Sequence, residues 1–266
     1  RLDSGINAMN RPAEKKKWKD YRPIFLKSAR VKEARRFYET HQEALIRAEQ
    51  ELGVSIEMIL AIIGVETYYG KHKGSFRALD ALATLGLDYP KRAKFFLGEL
   101  ESLFLLGKEE NFKPTELKGS YAGAMGFGQF IPSSYLAYAV DFDNDGRRDL
   151  INSPVDAIGS IANYLAEHGW DKTYGIAVPV GNAGSLVERM ESRIEVKETG
   201  QELISKGVSG VPANWAGLPL DILGLHGANG VDLGNTHDHA FLVQGLGGAL
   251  AHVAVTNHQR FLAGQQ

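Results

Sequence analysis

Residues 56–71, IEMILAIIGVETYYGK, form the stretch that decides the fold. Its first eleven residues are apolar around nearly the whole circumference of a helix, which predicts a buried helix. Ser55 stands where an N-cap is expected and Glu57 falls in the first turn, so both favour a helix start, while Gly70 suits its end. One carboxylate, Glu66, is left at the end of this apolar run and requires an explanation.

The position of Glu66 has two interpretations. An apolar setting disfavours an ionised carboxylate, and the negative end of the helix dipole acts in the same direction. A carboxylic acid that stays protonated near neutral pH is what a general acid needs. The alternative is a structural glutamate that pairs with a buried arginine or lysine. The position alone leaves both interpretations open.

The composition is that of a globular protein, and 266 residues suffice for one large domain or two to three small ones. The formal net charge is −2, but residues 1–50 hold 13 Lys/Arg against 7 Asp/Glu, mostly within 14–36. This basic segment indicates either a solvated helical face or a surface that meets an anionic polymer. The absence of cysteine excludes a disulfide framework and a cysteine metal site.

No run of residues approaches the roughly 20 apolar residues of a membrane span. The chain starts RLDSG, without an initiator methionine, which is typical of a processed or truncated chain. An export signal or a lipid anchor upstream is therefore compatible with the sequence.

Helical periodicity predicts a mainly α protein with a small β part, an α+β fold class. Besides the apolar helix, the predicted helices cover 30–52, 76–87, 90–107 and 155–170. From residue 175 onward, GIAVPVGN and SRIEVKETG are typical of short strands around turns.

The tail, residues 207–266, holds 11 glycines, one arginine and no lysine. Its glycine-rich part predicts loops, and the stretch from residue 240 predicts a helix. The HDH sequence at 237–239 resembles a metal-binding pair. In glycine-rich surroundings, however, it is more typical of solvent-exposed histidines.

Residues 118–135, KGSYAGAMGFGQFIPSSY, combine close-spaced glycines with polar and aromatic residues. The glycine order is not the dinucleotide fingerprint, and one nearby lysine does not make a phosphate cradle. Amides, hydroxyls and aromatic faces suit sugars, which offer hydroxyl groups and apolar C–H faces. A tight structural turn is the alternative. The residues in question are Ser120, Tyr121, Gln129 and Phe130.

Residues 141–150, DFDNDGRRDL, place carboxylates at positions 1, 3, 5 and 9 and a glycine at position 6. This is the opening of an EF-hand loop, in which alternate oxygens converge on a hard cation. Position 12 is Asn152 in place of the usual glutamate, and Asp156 is the candidate for the missing carboxylate. An Asx-rich turn without metal is the alternative.

Four stretches together resemble the lytic transglycosylase B family of bacterial cell-wall enzymes: IIGVETYYGK, ALDALATLGLDYPKRAKFFLGEL, LKGSYAGAMGFGQFIPSSYLAYAVDFDNDG and SPVDAIGSIANYLAEHGW. They cover residues 50–170 almost continuously, in the family's order and spacing. The resemblance implies a lysozyme-like catalytic core over 49–174 that contains an EF-hand-like calcium loop at 141–156. It also implies an N-terminal helical part over 1–48, which a C-terminal helix at 240–266 would join, and a small β-rich insertion over 175–239.

The resemblance also implies roles for individual residues. Glu66 matches the catalytic acid/base, and Lys91 and Arg92 match a basic pair that meets the stem peptide. The residues that match sugar contacts are Ser120, Gln129, Phe130 and Tyr164. Those that match a structural Ca²⁺ site are Asp141, Asp143, Asp145, the carbonyl of Arg147, and Asp156. The family's C-terminal RYN-like motif and cleft tyrosines have no counterpart here, since the last tyrosine is Tyr174.

The implied activity is cleavage of peptidoglycan between N-acetylmuramic acid and N-acetylglucosamine, with a 1,6-anhydro product and no organic cofactor. The expected partners are glycan strands, with room for other cell-wall enzymes; no nucleic acid is expected. A monomer in the bacterial periplasm or cell envelope is expected.

A lysozyme-like hydrolase would share Glu66, and a non-catalytic wall-binding module would not need it. A hydrolase usually needs a second carboxylate. Most of the other acids between residues 62 and 135 have helical or charged surroundings typical of solvent-facing residues, and none has an apolar frame like that of Glu66. These acids are Asp80, Asp88, Glu99, Glu101, Glu109, Glu110 and Glu116.

Overall fold

The computed structural model describes residues 2–10, 24–25, 27–173, 177–182, 198–224 and 240–244. The predictions for most of the basic segment, for the HDH sequence and for residues 245–266 fall outside the described residues. The chain divides into two compact units. Unit 1 comprises Arg1–Lys15 with Ser28–Asp171, and unit 2 comprises Lys16–Lys27 with Lys172–Gln266.

Unit 1 is helical in its described part, apart from a short antiparallel strand pair. The helices are α1 Asp3–Asn10, α2 Ser28–Leu52, α3 Ile56–Thr67, α4 Ala78–Asp88, α5 Ala93–Glu109, α6 Pro132–Tyr138 and α7 Pro154–Glu167. A 3₁₀ turn, Pro90–Arg92, precedes α5. The strands are β1 Phe76–Arg77 and β2 Lys118–Gly119.

Helix α3 lies at the centre of the core, because eight of its twelve residues are buried. Ser55 is its N-cap residue, but the serine side chain makes no capping hydrogen bond. Burial of the apolar surface therefore stabilises this helix more than its cap does. The structure also corrects the predicted C-terminus of this helix at Gly70. The helix ends at Thr67, and Tyr68 is its left-handed C-cap residue with φ of 52°.

Helix α2 continues past the boundary predicted between residues 48 and 49. Its buried residues Phe37, Leu45 and Ala48 face inward, and the helix packs against α3 and α7. These partners cover its apolar face, and residues 28–48 lie in the same compact unit as α3. His41 interrupts the regular helix, with φ of −122° and ψ of 26°.

Unit 2 contains a four-stranded antiparallel sheet in the order β3-β6-β5-β4. Its described elements are β3 Ala177–Val180, β4 Glu198–Thr199, α8 Gly200–Ser205, β5 Pro219–Gly224 and β6 Ala240–Gln244, with a 3₁₀ turn at Ala213–Trp215. Strands β3 and β4 lie within the two segments predicted as strands.

Strand β6 corrects the prediction of a helix from residue 240. Its neighbours are β3 on one side, where Ala177 pairs with Val243, and β5 on the other, where Leu220 pairs with Gln244. The sequence AFLVQ is short and contains an aromatic and a β-branched residue, which fit a paired strand. Pairing on both sides satisfies its backbone groups without a helix.

In the described part of the chain, no helix is both long enough and apolar enough to cross a membrane.

Candidate active site

Glu66 lies in the last turn of α3 and has an exposed side chain, although the helix before it is buried. The sequence predicted an apolar frame around this carboxylate. The structure corrects that expectation, because the side chain of Glu66 is exposed.

Thr67, the residue after Glu66, joins α3 to the glycine-rich loop, residues 125–130. Its Oγ1 is fully buried, and it lies 2.9 Å from the carbonyl oxygen of Phe127 and 3.2 Å from that of Ile63. The same oxygen accepts a hydrogen bond from the backbone N–H of Gly70 at 3.0 Å. One side chain therefore fixes the end of α3 against the loop.

The glycine-rich loop is closed by a reciprocal pair of backbone hydrogen bonds between Met125 and Phe130, of 2.8 and 2.9 Å. Gln129 occupies the left-handed region inside it, with φ of 53°. Its amide nitrogen Nε2 donates to the carbonyl oxygens of Gly126 at 3.0 Å and Lys73 at 3.3 Å. Because the nitrogen is bonded to the protein, the amide oxygen is the group that can accept from a ligand.

Ser120 organises the turn before this loop. Its Oγ accepts hydrogen bonds from the backbone N–H groups of Ala122 and Ala124, each at 3.2 Å. These bonds occupy the two lone pairs of the hydroxyl and leave its proton as a donor. The structural turn and the sugar contact, which the sequence left as alternatives, are therefore compatible in one residue.

Tyr164, on α7, lies in a cluster of aromatic rings. The ring of His168 stacks on it with centroids 4.0 Å apart, and Tyr138 meets its edge at 5.1 Å. Phe130 also packs edge-on at 5.7 Å but is only 7% exposed, so it supports Tyr164 and presents little surface of its own to a ligand. Sequence reasoning missed His168, although it follows Tyr164 by four residues on the same helical face.

Lys91 and Arg92 lie exposed in the 3₁₀ turn before α5. The guanidinium carbon of Arg92 lies 4.1 Å from the ring centroid of Phe95. Both basic residues line an open cleft of about 690 Å³. Glu66, Ser120 and Gln129 do not line this cleft.

The acidic loop, residues 141–150, brings three of the predicted metal ligands together. Carboxylate oxygens of Asp141, Asp143 and Asp145 lie within 4.8 Å of one another. Ca²⁺ binds oxygen at about 2.3–2.6 Å, so ligands on opposite sides of one ion are roughly 5 Å apart. The donor type and the spacing of this cluster therefore fit Ca²⁺. Arg147, whose carbonyl was predicted as a ligand, donates its N–H to Asp145 at 2.9 Å.

Asp156, predicted as a further ligand, is not part of that cluster. It is completely buried, and its carboxylate accepts backbone hydrogen bonds from Phe142 at 2.8 Å, Asp143 at 3.2 Å and Asp149 at 2.8 Å. Burial raises its pKa, although these hydrogen bonds act in the opposite direction. Asp156 therefore holds the two ends of the acidic loop together from within the protein.

Five of the other acids between residues 62 and 135 have partners within the described part of the chain. Contrary to the sequence-based expectation, Glu99 is buried at 5% exposure and bonds the backbone N–H and the hydroxyl of Ser133 at 2.9 and 2.7 Å. Glu109 and Glu110 pair with Arg148. Asp80 pairs with Arg77 and Glu116 with Lys113.

A helical core whose central helix ends at an exposed glutamate, and which Thr67 joins to a glycine-rich loop, has the lysozyme-like fold of the solved structures reported below. The chain belongs to the family described as Transglycosylase SLT domain, whose sequence profile matches residues 2–243.

A curated relative, the membrane-bound lytic murein transglycosylase B of Escherichia coli K12, is 47% identical over 182 residues. The match covers 68% of this chain and 50% of the relative, so the chain spans about half the length of that protein.

Solved structures share the fold. The catenated lytic transglycosylase SltB1 of Pseudomonas aeruginosa is 36% identical, with a TM-score of 0.88 over 100% of this chain and 89% of that one. Escherichia coli Slt35 in complex with calcium is 36% identical, with a TM-score of 0.82, and the match covers 100% of this chain and 85% of that one. Pseudomonas aeruginosa SltB3 in complex with NAG-anhNAM-pentapeptide is 28% identical, with a TM-score of 0.73, and the match covers 95% of this chain and 65% of that one.

Proposed function

We propose that this chain is a lytic transglycosylase that cleaves the β-1,4 bond between N-acetylmuramic acid and N-acetylglucosamine in peptidoglycan and leaves 1,6-anhydromuramic ends. One observation carries the proposal: Glu66 is an exposed carboxylate on a buried helix, and Thr67 fixes that helix end to the glycine-rich loop. A general acid needs this combination of access and fixed position.

The neighbouring groups are assigned to the sugar. The hydroxyl proton of Ser120 donates to a substrate oxygen, and the amide oxygen of Gln129 accepts from a hydroxyl or N-acetyl N–H. Tyr164 and His168 offer aromatic surface to the apolar face of a ring. Bound sugar covers Glu66 and removes water from it, which keeps the carboxylic acid protonated until the leaving oxygen arrives.

The proposed reaction consumes no water. Glu66 transfers its proton to the glycosidic oxygen as the bond to C1 of muramic acid breaks. The substrate's own N-acetyl group stabilises the electron-deficient C1. The carboxylate of Glu66 then removes the proton from the C6 hydroxyl, and O6 bonds to C1. The attack is intramolecular, so proximity replaces a second enzymatic carboxylate.

The partners of the other acids between residues 62 and 135 support this single-carboxylate scheme. Five of the seven candidates are engaged by other residues of the chain: Asp80, Glu99, Glu109, Glu110 and Glu116. Hydrolysis with two carboxylates needs a free second group near the scissile bond. The relatives' names, lytic murein transglycosylase and lytic transglycosylase, point to the same chemistry.

The remaining assignments follow from this substrate. A peptidoglycan-cleaving enzyme works where the polymer lies, so we assign the chain to the bacterial cell envelope, and the relative named membrane-bound supports that location. Lys91 and Arg92, both exposed cations, suit the carboxylates of a stem peptide. SltB3 in complex with a pentapeptide-bearing ligand supports a peptide contact of this kind.

A Ca²⁺ ion is assigned to the acidic loop, where Asp141, Asp143 and Asp145 would hold it. Bound there, the ion supplies positive charge that offsets the repulsion of three carboxylates. The Slt35 structure in complex with calcium supports the choice of metal. The role is structural, since Glu66 carries out the acid–base chemistry without a metal.

The assignment of Glu66 is tested by Glu66→Gln, with Glu57→Gln at the other end of the same helix as the matched control. Both variants are assayed by loss of turbidity of purified peptidoglycan. We expect Glu66→Gln to fold and to lose nearly all activity, while Glu57→Gln stays close to the native rate. If Glu66→Gln remains within about tenfold of native activity, roughly 1.4 kcal/mol in the barrier, the assignment is wrong.

The product tests the reaction type. Digestion in ¹⁸O-labelled water, followed by mass spectrometry, should give unlabelled muramic ends that are one water lighter than a hydrolytic product. A reducing-end assay should show no new reducing ends. Incorporation of ¹⁸O at the muramic end would replace this proposal with a lysozyme-like hydrolase.

A further inference from the structure

Lys73 lies in the segment between α3 and β1 and contacts the chain just beyond the acidic loop. Its ammonium nitrogen Nζ donates a hydrogen bond to the carbonyl oxygen of Ile151 at 2.6 Å. The same ammonium lies 4.5 Å from the ring centroid of Phe127, within cation–π distance. Among the described residues no carboxylate pairs with it, so its charge acts on a carbonyl oxygen and an aromatic face.

The backbone of Lys73 makes the second connection, to Gln129. The carbonyl oxygen of Lys73 accepts the hydrogen bond from Gln129 Nε2 at 3.3 Å. The other bond of that nitrogen goes to Gly126, inside the glycine-rich loop. The direction in which the amide oxygen of Gln129 points therefore depends on where the Lys73 backbone is held.

Residues 149–152 provide a firm anchor for Lys73. Asp149 Oδ1 accepts hydrogen bonds from the backbone N–H groups of Ile151 at 3.0 Å and Asn152 at 2.9 Å. Leu150 accepts from the N–H of Phe127 at 3.0 Å. A Cβ atom at Gly126 would lie only 2.3 Å from the carbonyl oxygen of Leu150, so the two backbones are in direct contact.

We propose that Lys73 is a positioning residue for the glycosidic cleavage: anchored on Ile151 and Phe127, it holds the amide of Gln129 in the orientation that binds sugar. The inference rests on the proposed function, because it requires Gln129 to contact the substrate. A charge-assisted hydrogen bond suits this role, since it is shorter and stronger than a neutral one. The segment around residue 73 has no regular secondary structure that would otherwise fix its backbone.

The test is a double-mutant cycle of Lys73→Met and Gln129→Ala. Methionine keeps an apolar stem against Phe127 and removes the ammonium group. We expect Lys73→Met to lower kcat/KM by about tenfold to a hundredfold, the range expected for a displaced binding group. In the Gln129→Ala background, the same substitution should change kcat/KM by less than about twofold, because the group it positions is absent.

Further variants separate positioning from a general loss of structure. Lys73→Arg keeps a cationic donor and should recover activity to within about threefold of the native protein. Lys113→Met removes an exposed lysine and should leave activity unchanged. Thermal unfolding of each protein is measured alongside, and Lys73→Gln serves as the neutral variant if Lys73→Met does not fold.

Several results would overturn the proposal. The first is native activity in the neutral Lys73 variant, and the second is native activity in Gln129→Ala. The third is a double variant in which the two losses of kcat/KM simply multiply. In each case the assignment of Glu66 stands if Glu66→Gln is inactive. An active Glu66→Gln protein would instead remove the proposed function itself, so the two failures are distinguishable.

Discussion

Thr67 and Phe127, sixty residues apart in sequence, are joined by a 2.9 Å hydrogen bond from the threonine Oγ1 to the phenylalanine carbonyl oxygen. Thr67 follows Glu66, and Phe127 is two residues before Gln129. The bond therefore fixes the distance between the end of the helix with the proposed acid and the loop with the proposed sugar contact. Both groups are buried, so no water competes for either.

Thr67→Val tests this bond, because valine replaces the hydroxyl by a methyl group of similar size. The carbonyl of Phe127 and the N–H of Gly70 would lose their buried partner, and we expect a loss of about 1–3 kcal/mol in the free energy of unfolding. Thr67→Ser keeps the hydroxyl and should lose less. Chemical denaturation of the three proteins measures the difference, and equal stability of the valine and native proteins would contradict the role given to the bond.

Gly74→Ala tests a close backbone approach. Gly74 has φ of 91°, and a Cβ atom there would lie 2.0 Å from the carbonyl oxygen of Gly119. Gly169, with φ of 86° and no heavy atom within 4 Å of the same position, is the matched control. Gly169→Ala should cost only the left-handed strain of about 1–2 kcal/mol. Gly74→Ala should cost several kcal/mol more in denaturant unfolding, and equal costs would show that the backbone relaxes freely.

The sequence predicted those features of the fold and the site that depend on a local pattern of residues. The apolar run located α3 and Glu66, and the spacing of Asp141, Asp143 and Asp145 located the acidic cluster. The sequence also indicated the burial of Glu99, although the prediction did not use this signal. Glu99 lies three residues after Phe96 and four before Leu103, on the buried face of α5. A charged residue at that position must be buried with a partner.

Contacts between distant segments had no such signal. The Thr67–Phe127 and Lys73–Ile151 bonds span 60 and 78 residues, and neither residue type indicates its partner. Strand β6 was predicted as a helix for the same reason, because the strands that pair with it are far away in sequence. Tertiary pairing overrides the weak preference of a short apolar segment.

His41 should make stability depend on pH. It is partly buried and its ring lies 4.5 Å from that of Phe37, and this burial lowers its pKa below the ordinary value of 6.5. The unfolded chain therefore binds a proton at a higher pH than the folded protein does. The contribution of His41 to stability is fully present above pH 6.5 and is lost as the pH falls from 6.5 through the lowered pKa.

The measurement is the free energy of unfolding of the native protein and of His41→Gln between pH 7.5 and pH 5. Glutamine does not titrate, so its curve should fall less steeply over that range. The comparison uses the slopes, so any constant change in stability from the substitution cancels. Parallel curves would show that the environment of His41 contributes nothing to the pH dependence.

Calcium should stabilise the protein through the acidic loop. The carboxylate oxygens of Asp141, Asp143 and Asp145 lie within 4.8 Å of one another, where like charges repel unless a cation lies among them. A ligand that binds only the folded state adds about 2.7 kcal/mol at a concentration of one hundred times its Kd. We therefore expect Ca²⁺ to raise the Tm and a chelator to lower it again. Mg²⁺ should have less effect, because it requires a smaller octahedral site.

Asp145→Asn removes one of the three charges while keeping the side-chain shape. The control is Asp80→Asn, at a partly exposed aspartate outside the loop. The Asp145 variant should lose most of the Tm increase with Ca²⁺. Without metal its Tm should equal or exceed that of the native protein, since one source of repulsion is gone. The Asp80 variant should respond to Ca²⁺ as the native protein does. A full calcium response in Asp145→Asn would mean that the ion binds elsewhere, and the acidic loop would then be an Asx-rich turn held by its own backbone hydrogen bonds.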